Sequence, residues 1–132
     1  MQYIDKQKAK MYSALTLAFL GDSVFEILVR QKIVLMGDQK IDKLHNIKIG
    51  IVCAKFQAKV VPTILELLTE EELTVFKRGR NSKCHAPKNT EIVEYRLATG
   101  LESLFGYLYL IGDEERINQL FSVIWNIYKE EF

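Results

Sequence analysis

Leu17-Ala18-Phe19-Leu20-Gly21-Asp22-Ser23-Val24-Phe25-Glu26 sets a glycine and an acid inside an apolar helical pattern. Leu15, Ala18, Asp22, Phe25, Val29 and Ile33 recur at spacings of three and four, which puts all six on one face of a helix. A carboxylate on such a face is no ordinary solvated charge. Burying it unpaired is costly, so the pattern calls for a cation, a donor network or a metal ion. Gly21 beside it lowers helix propensity by about 1 kcal/mol relative to alanine, a loss that close packing or function must offset.

Working outward, the same periodicity predicts a first helix from about Lys8 to Met36, with a break near Gly21 and a stop at Gly37-Asp38. A second begins near Ile41 and carries Leu44, Ile47 and Ile51, then, after a kink, Ala54, Ala58 and Val61. Pro62 is expected either to kink it or to start a continuation to Leu68. Thr69-Glu70-Glu71-Glu72 is a helix start, a threonine cap with acids where the helix dipole favours them, and that helix should give way at Gly79. Residues 79–89 read as a loop, after which Asn89 or Thr90 should cap a long helix to about Ile111. Ile117, Leu120, Phe121, Ile124 and Tyr128 mark a last amphipathic helix. No strand-like alternation of useful length occurs, so the expected class is all-α, with residues 1–132 forming a single domain.

Composition restricts function without naming it. A formal net charge of +1 neither demands nor forbids a polyanionic partner, so the distribution of charge has to decide. Cys53, in an apolar stretch, reads as a small core residue. Cys84 beside His85 lacks the ligand count of a zinc site, and both cysteines are expected as reduced thiols of a cytoplasmic protein. His45 and His85 are expected on the surface. The N-terminus has no basic stretch followed by an apolar one, so no signal peptide is expected. No apolar run approaches the roughly 20 residues that span a bilayer.

The helix after Asn89 repeats the anomaly of the first. Tyr95, Ala98, Glu102, Phe105 and Tyr109 recur at three and four, and Gly106 lies one turn beyond Glu102 on the same side. If Gly21 and Gly106 mark a close helix crossing, Asp22 and Glu102 face one small space. Two converging carboxylates, completed by water and a substrate phosphate, are the usual surroundings of Mg²⁺. Structural pairing with Arg30 or Arg96 satisfies the same pattern, and spacing alone leaves both readings open.

Lys77, Arg78, Arg80, Lys83 and Lys88 fall in a stretch of twelve residues with no acid, and Arg78-Gly79-Arg80-Asn81 offers planar donors on a pliable backbone. Such donors suit phosphate oxygens. The stretch has no tyrosine or phenylalanine on which to stack bases, which favours a duplex backbone over unstacked single strands. A solvated loop whose charges only aid solubility is the alternative.

Taken together, these residues resemble a known family. Leu17 to Glu26 is similar to the signature helix of the ribonuclease III family, and Leu101-Glu102-Ser103-Leu104-Phe105-Gly106-Tyr107-Leu108-Tyr109-Leu110 to its second acidic motif. Leu44-His45, Ala54-Lys55-Phe56-Gln57-Ala58-Lys59, Lys77-Arg78-Gly79-Arg80-Asn81, Pro87-Lys88-Asn89-Thr90 and Tyr95-Arg96 resemble the Mini-ribonuclease III branch. Motifs in this order, from about Ser13 to Gly112, are far more specific than any one of them.

The resemblance implies a helical, homodimeric endoribonuclease that cuts double-stranded RNA with Mg²⁺ and leaves 5′-phosphate products. It implies a catalytic domain alone, without a double-stranded-RNA-binding domain, in the bacterial cytoplasm. The branch is associated with maturing the ends of 23S ribosomal RNA with help from a ribosomal protein. By position, Asp22 and Glu102 would be the catalytic and metal-coordinating acids. Phe19 would enter a pocket on the partner subunit, and Lys77, Arg78, Arg80, Asn81, Lys83 and Lys88 would contact RNA.

One departure stands out. Larger family members carry further acids where this chain has Ala18 and Thr99. Weak metal binding without RNA is therefore expected, to be completed by the scissile phosphate. The same departure leaves room for a non-catalytic module that binds structured RNA or a ribosomal partner. A helical Mg²⁺-dependent nucleotide hydrolase is a third reading, but it gives no reason for the basic loop.

Overall fold

The computed structural model describes residues 2–83 and 85–131, so the expectation for Cys84 lies outside the described residues. The described residues form helices α1 (Lys6–Lys10), α2 (Ala14–Leu35), α3 (Ile41–Val52), α4 (Ala54–Leu65), α5 (Glu70–Arg80), α6 (Ile92–Leu110) and α7 (Glu114–Glu131), with no strand among them. The expected all-α class is the observed one.

The break expected at Gly21 falls earlier, between α1 and α2. Ser13 adopts an extended conformation there and accepts the Thr16 N–H at 3.1 Å, a cap that starts a new helix. Gly21 lies inside an uninterrupted α2 because packing against α6 offsets its poor propensity. The kink expected before Ala54 is a break at Cys53, which is half-buried and extended, and which separates α3 from α4. Pro62 lies within α4, which ends three residues later at Leu65 rather than running on to Leu68.

Thr69 caps α5 with the full reciprocal pair: its hydroxyl accepts the Glu72 N–H, and the Glu72 carboxylate accepts the Thr69 N–H. Gly79 does not end α5, which runs to Arg80. A Cβ at Gly79 would come within 2.3 Å of the Ser103 hydroxyl, so the glycine serves close packing. Neither Asn89 nor Thr90 caps α6. Glu91 precedes it without a side-chain cap, and Asn89 instead takes the left-handed conformation (φ 71°) that asparagine tolerates.

α6 is the axis of the fold, in contact with α1, α2, α4, α5 and α7. From Ala98 to Leu108 every residue is buried except Glu102. Phe25 packs edge-on against Phe105 of α6 and Phe121 of α7, with ring centroids 5.9 and 5.8 Å apart, the tilted geometry that aromatic quadrupoles favour. The Ser103 hydroxyl donates to the Ala14 carbonyl at 2.9 Å and pins the start of α2 to α6. At the far end, Arg116 holds the buried Glu72 carboxylate with two 2.8 Å hydrogen bonds and the Leu67 carbonyl with a third at 2.7 Å. Burial pushes the Glu72 carboxyl up, but bonds from Arg116 and Thr69 outweigh it and keep it below the usual range.

Candidate active site

α2 and α6 meet backbone to backbone. A Cβ on Gly21 would stand 1.7 Å from the Glu102 carbonyl oxygen, and one on Gly106 would stand 1.9 Å from that of Leu17. The expected crossing is therefore real, and glycine is the residue that permits it. It also corrects the face assigned to α2. The buried line runs through Ala14, Leu17, Ala18, Gly21, Val24, Phe25, Val29 and Ile33, whereas Leu15 and Asp22 are exposed. Asp22 sits on the rim of the crossing rather than in the middle of a buried stripe, because a glycine without apolar bulk occupies the centre.

From that rim Asp22 meets the half-buried Glu102 within hydrogen-bonding reach. The Glu102 carboxyl is pushed up to about 8, first by its removal from water and then by the hydrogen bond and charge of Asp22. Only Gln57, from α4, pulls the other way. Gln57 is 2% exposed, and its Nε2 has no hydrogen-bond partner of normal geometry. The cations expected as structural partners of Asp22 are elsewhere engaged or on the surface: Arg30 pairs with Glu26 at 3.0 Å, and Arg96 is exposed. Among the described residues no ion pair involves Asp22 or Glu102.

The donor set suits a divalent cation. Two carboxylates face each other, with no protein cation paired to them among the described residues, beside an amide with an unused donor. Hard oxygen ligands of this kind are what Mg²⁺ takes. Among the described residues no group of three or more His, Cys, Asp or Glu forms a cage, so the protein offers two acids and leaves other positions to water or substrate. Ala18 and Thr99 are both buried, and the Thr99 hydroxyl donates to the Tyr95 carbonyl at 2.8 Å.

Comparison with known proteins decides the family: a model of the ribonuclease III domain matches residues 15–113. The chain belongs to the ribonuclease III domain family. It is 42% identical over 127 residues to the Mini-ribonuclease 3 of Clostridium tetani, covering 95% of this chain and 84% of the relative. To that of Brevibacillus brevis it is 45% identical over 118 residues, 89% of this chain and 88% of the relative. A crystal structure of a Fusobacterium nucleatum protein superposes with a TM-score of 0.80 at 34% identity, covering 92% of this chain and 96% of the other.

For this ribonuclease III domain the basic segment divides into parts with different work. Lys77, Arg78 and Arg80 lie in the last turns of α5, where the helix dipole itself favours cations. Arg78 is committed to structure: its guanidinium donates to the Lys10 and Tyr12 carbonyls at 3.1 and 2.8 Å, closing the α1–α2 connection. Arg80 donates to the Asn81 side chain at 3.1 Å. Lys77, Asn81, Lys83 and Lys88 are exposed or half-buried at the surface. Because Gly79 packs against Gly100 and Ser103, the root of this segment lies beside the turn of α6 that carries Glu102.

Phe19 is 83% exposed, one helical turn before Asp22. It belongs to an outward apolar row on α2 with Leu15, Ile27 and Val34. His45 and His85 are on the surface as expected. Gln57 was the residue that periodicity did not single out, although the signal exists: with Val60, Val61 and Ile64 it lies on the buried stripe of α4, a polar side chain among apolar ones. Among the described residues no helix is long and apolar enough to cross a membrane.

Proposed function

We propose that this ribonuclease III family enzyme acts as a homodimer and cleaves double-stranded RNA with Mg²⁺ held by Asp22 and Glu102. The observation that carries the reading is the Asp22–Glu102 pair, two acids brought together by a glycine crossing and, among the described residues, in no ion pair with a protein cation. When bound, Mg²⁺ lowers the pKa of water and offsets charge that develops on a phosphate under attack. Asp22 supplies a carboxylate open to solvent and so to an approaching RNA backbone. Glu102 supplies a second that must give up its proton before it can serve as a ligand.

Attack by water on phosphorus breaks the bond to the 3′-oxygen and leaves a 5′-phosphate and a 3′-hydroxyl. Lys77, Arg80, Lys83 and Lys88, on a segment whose Gly79 packs against Gly100 and Ser103 of α6, hold neighbouring phosphates, and recognition follows duplex shape more than sequence. The second copy of the chain packs on the outward row of α2, where Phe19 is the most prominent side chain. Two-fold symmetry then gives one site for each strand of the duplex. The natural substrate we propose is the precursor of 23S ribosomal RNA in the bacterial cytoplasm, trimmed with a ribosomal protein as helper.

The test is incubation of the purified protein with labelled duplex RNA, single-stranded RNA and a nucleotide, each with Mg²⁺ or with chelator. Metal-dependent cleavage of the duplex alone is expected, abolished in Asp22→Asn and Glu102→Gln while both variants stay folded and dimeric. Duplex binding without cleavage would favour a non-catalytic RNA-binding module. Near-normal turnover by either variant would end the assignment of the acids.

A further inference from the structure

Among the described residues, Gln57 Nε2 is the buried side-chain nitrogen or oxygen that lacks a hydrogen-bond partner. A buried donor left unmet costs about 1–3 kcal/mol, so a residue that only filled space here would do so better as a hydrocarbon. The other buried residues of α4, Phe56, Ala58, Val60, Val61 and Ile64, are apolar. Its position is set by the break at Cys53, whose carbonyl accepts the Gln57 N–H at 3.1 Å and starts α4 across α6. The polar group within its hydrogen-bonding reach is the Glu102 carboxyl on α6, the helix that α4 packs against.

We propose that Gln57 is a positioning residue of the site: its amide nitrogen donates to the ionised Glu102 carboxylate and holds it turned toward the cation and Asp22. The unmet donor then has its partner, and one oxygen of Glu102 stays free to bind metal. Loss of a group that orients a ligand in this way typically costs about 10–100-fold in metal affinity or activity. The proposal rests on the metal reading of Asp22 and Glu102, and its test keeps the two apart.

The full-length chain is titrated with Mn²⁺ in the absence of RNA, by calorimetry or electron paramagnetic resonance, and duplex cleavage is measured at fixed Mg²⁺. Gln57→Met keeps the length of the side chain and removes the donor. The expected result is Mn²⁺ affinity and kcat each down about tenfold or more, with KM for the duplex unchanged. The melting temperature should stay level or rise, because an unmet polar group has left the interior.

Wild-type metal affinity and kcat in Gln57→Met would overturn the proposal. So would a lower melting temperature with unchanged metal affinity, which is the mark of a packing role. If Gln57→Met does not fold, Gln57→Leu is read in the same way, and failure of both to fold also overturns it. Failure of the wild type to bind Mn²⁺, or binding that survives in Asp22→Asn, would instead sink the metal reading beneath it.

Discussion

Gly21 and Gly106 face each other across the α2–α6 crossing with no space for a Cβ on either: one added to Gly21 would lie 2.8 Å from the Gly106 nitrogen, and one added to Gly106 would lie 3.1 Å from that of Gly21. The atoms in the way are backbone, which cannot swing aside as a side chain can. This close approach sets the distance between Asp22 and Glu102, so the chemistry of the site depends on two residues that have no functional groups.

Gly21→Ala and Gly106→Ala should therefore each force the two helices apart. Overpacking typically costs 1–3 kcal/mol, and the rigid backbone on both sides places these two at about 3 kcal/mol or above. Chemical denaturation measures the loss, and duplex cleavage should fall with it as the acids separate. A variant within about 0.5 kcal/mol of wild type would show that the crossing is slack.

Glu102 makes the stability of the metal-free protein depend on pH. Its carboxyl stands at about 8 in the folded chain against an ordinary 4.5, so between those values the folded state binds a proton that the unfolded state has released. Stability from this group is present below the lower value and is lost as pH rises through the upper one. The melting temperature of wild type minus that of Glu102→Gln should accordingly fall from pH 5 to 8 and level off above it. Adding Mg²⁺ at pH 8 should raise the wild type and leave Glu102→Gln unmoved. A difference that is flat across this range would show that the carboxyl is not perturbed.

Periodicity found both acids for a reason only half right. It marked Asp22 as buried because it counted apolar side chains, and the true centre of the buried face is Gly21, which has none. Glu102 does interrupt a buried face, so there the inference from burial holds. Helix boundaries were missed where a cap decided one, as at Ser13, where a glycine served packing rather than termination, as at Gly79, where α4 stops at Leu65 short of Leu68, and where α6 begins after Glu91 rather than at Asn89 or Thr90. Arg78 looked like its basic neighbours because the carbonyls it holds are main-chain groups of Lys10 and Tyr12, and nothing in their side chains announces them. Gln57 was legible only as a member of the motif at residues 54–59 and without a role of its own, because its meaning depends on which helix packs against α4.

The outward row of α2 offers a separate test. Phe19, Ile27 and Val34 are each more than 60% exposed on a helix whose other side is core. Phe19→Asp places a charge in the proposed dimer interface without touching the fold of the single chain. Sedimentation should show dissociation to monomers with the melting profile of the monomer intact, and duplex cleavage should disappear. An undiminished dimer would move the interface elsewhere on the surface.

The basic segment should separate into stability and binding when its members are replaced. Arg78→Ala removes two hydrogen bonds from a charged donor, each typically contributing about 1.5–3 kcal/mol, and opens the α1–α2 connection. Its main effect should be a lower melting temperature. The triple variant Lys77→Ala, Lys83→Ala and Lys88→Ala removes exposed cations and should leave the melting temperature unchanged. Its duplex binding should weaken for every sequence alike, and the slope of log affinity against log salt should shrink by about one for each phosphate that is no longer neutralised. An unchanged slope would mean that these lysines are solvated and that the RNA backbone is held by another face of the molecule.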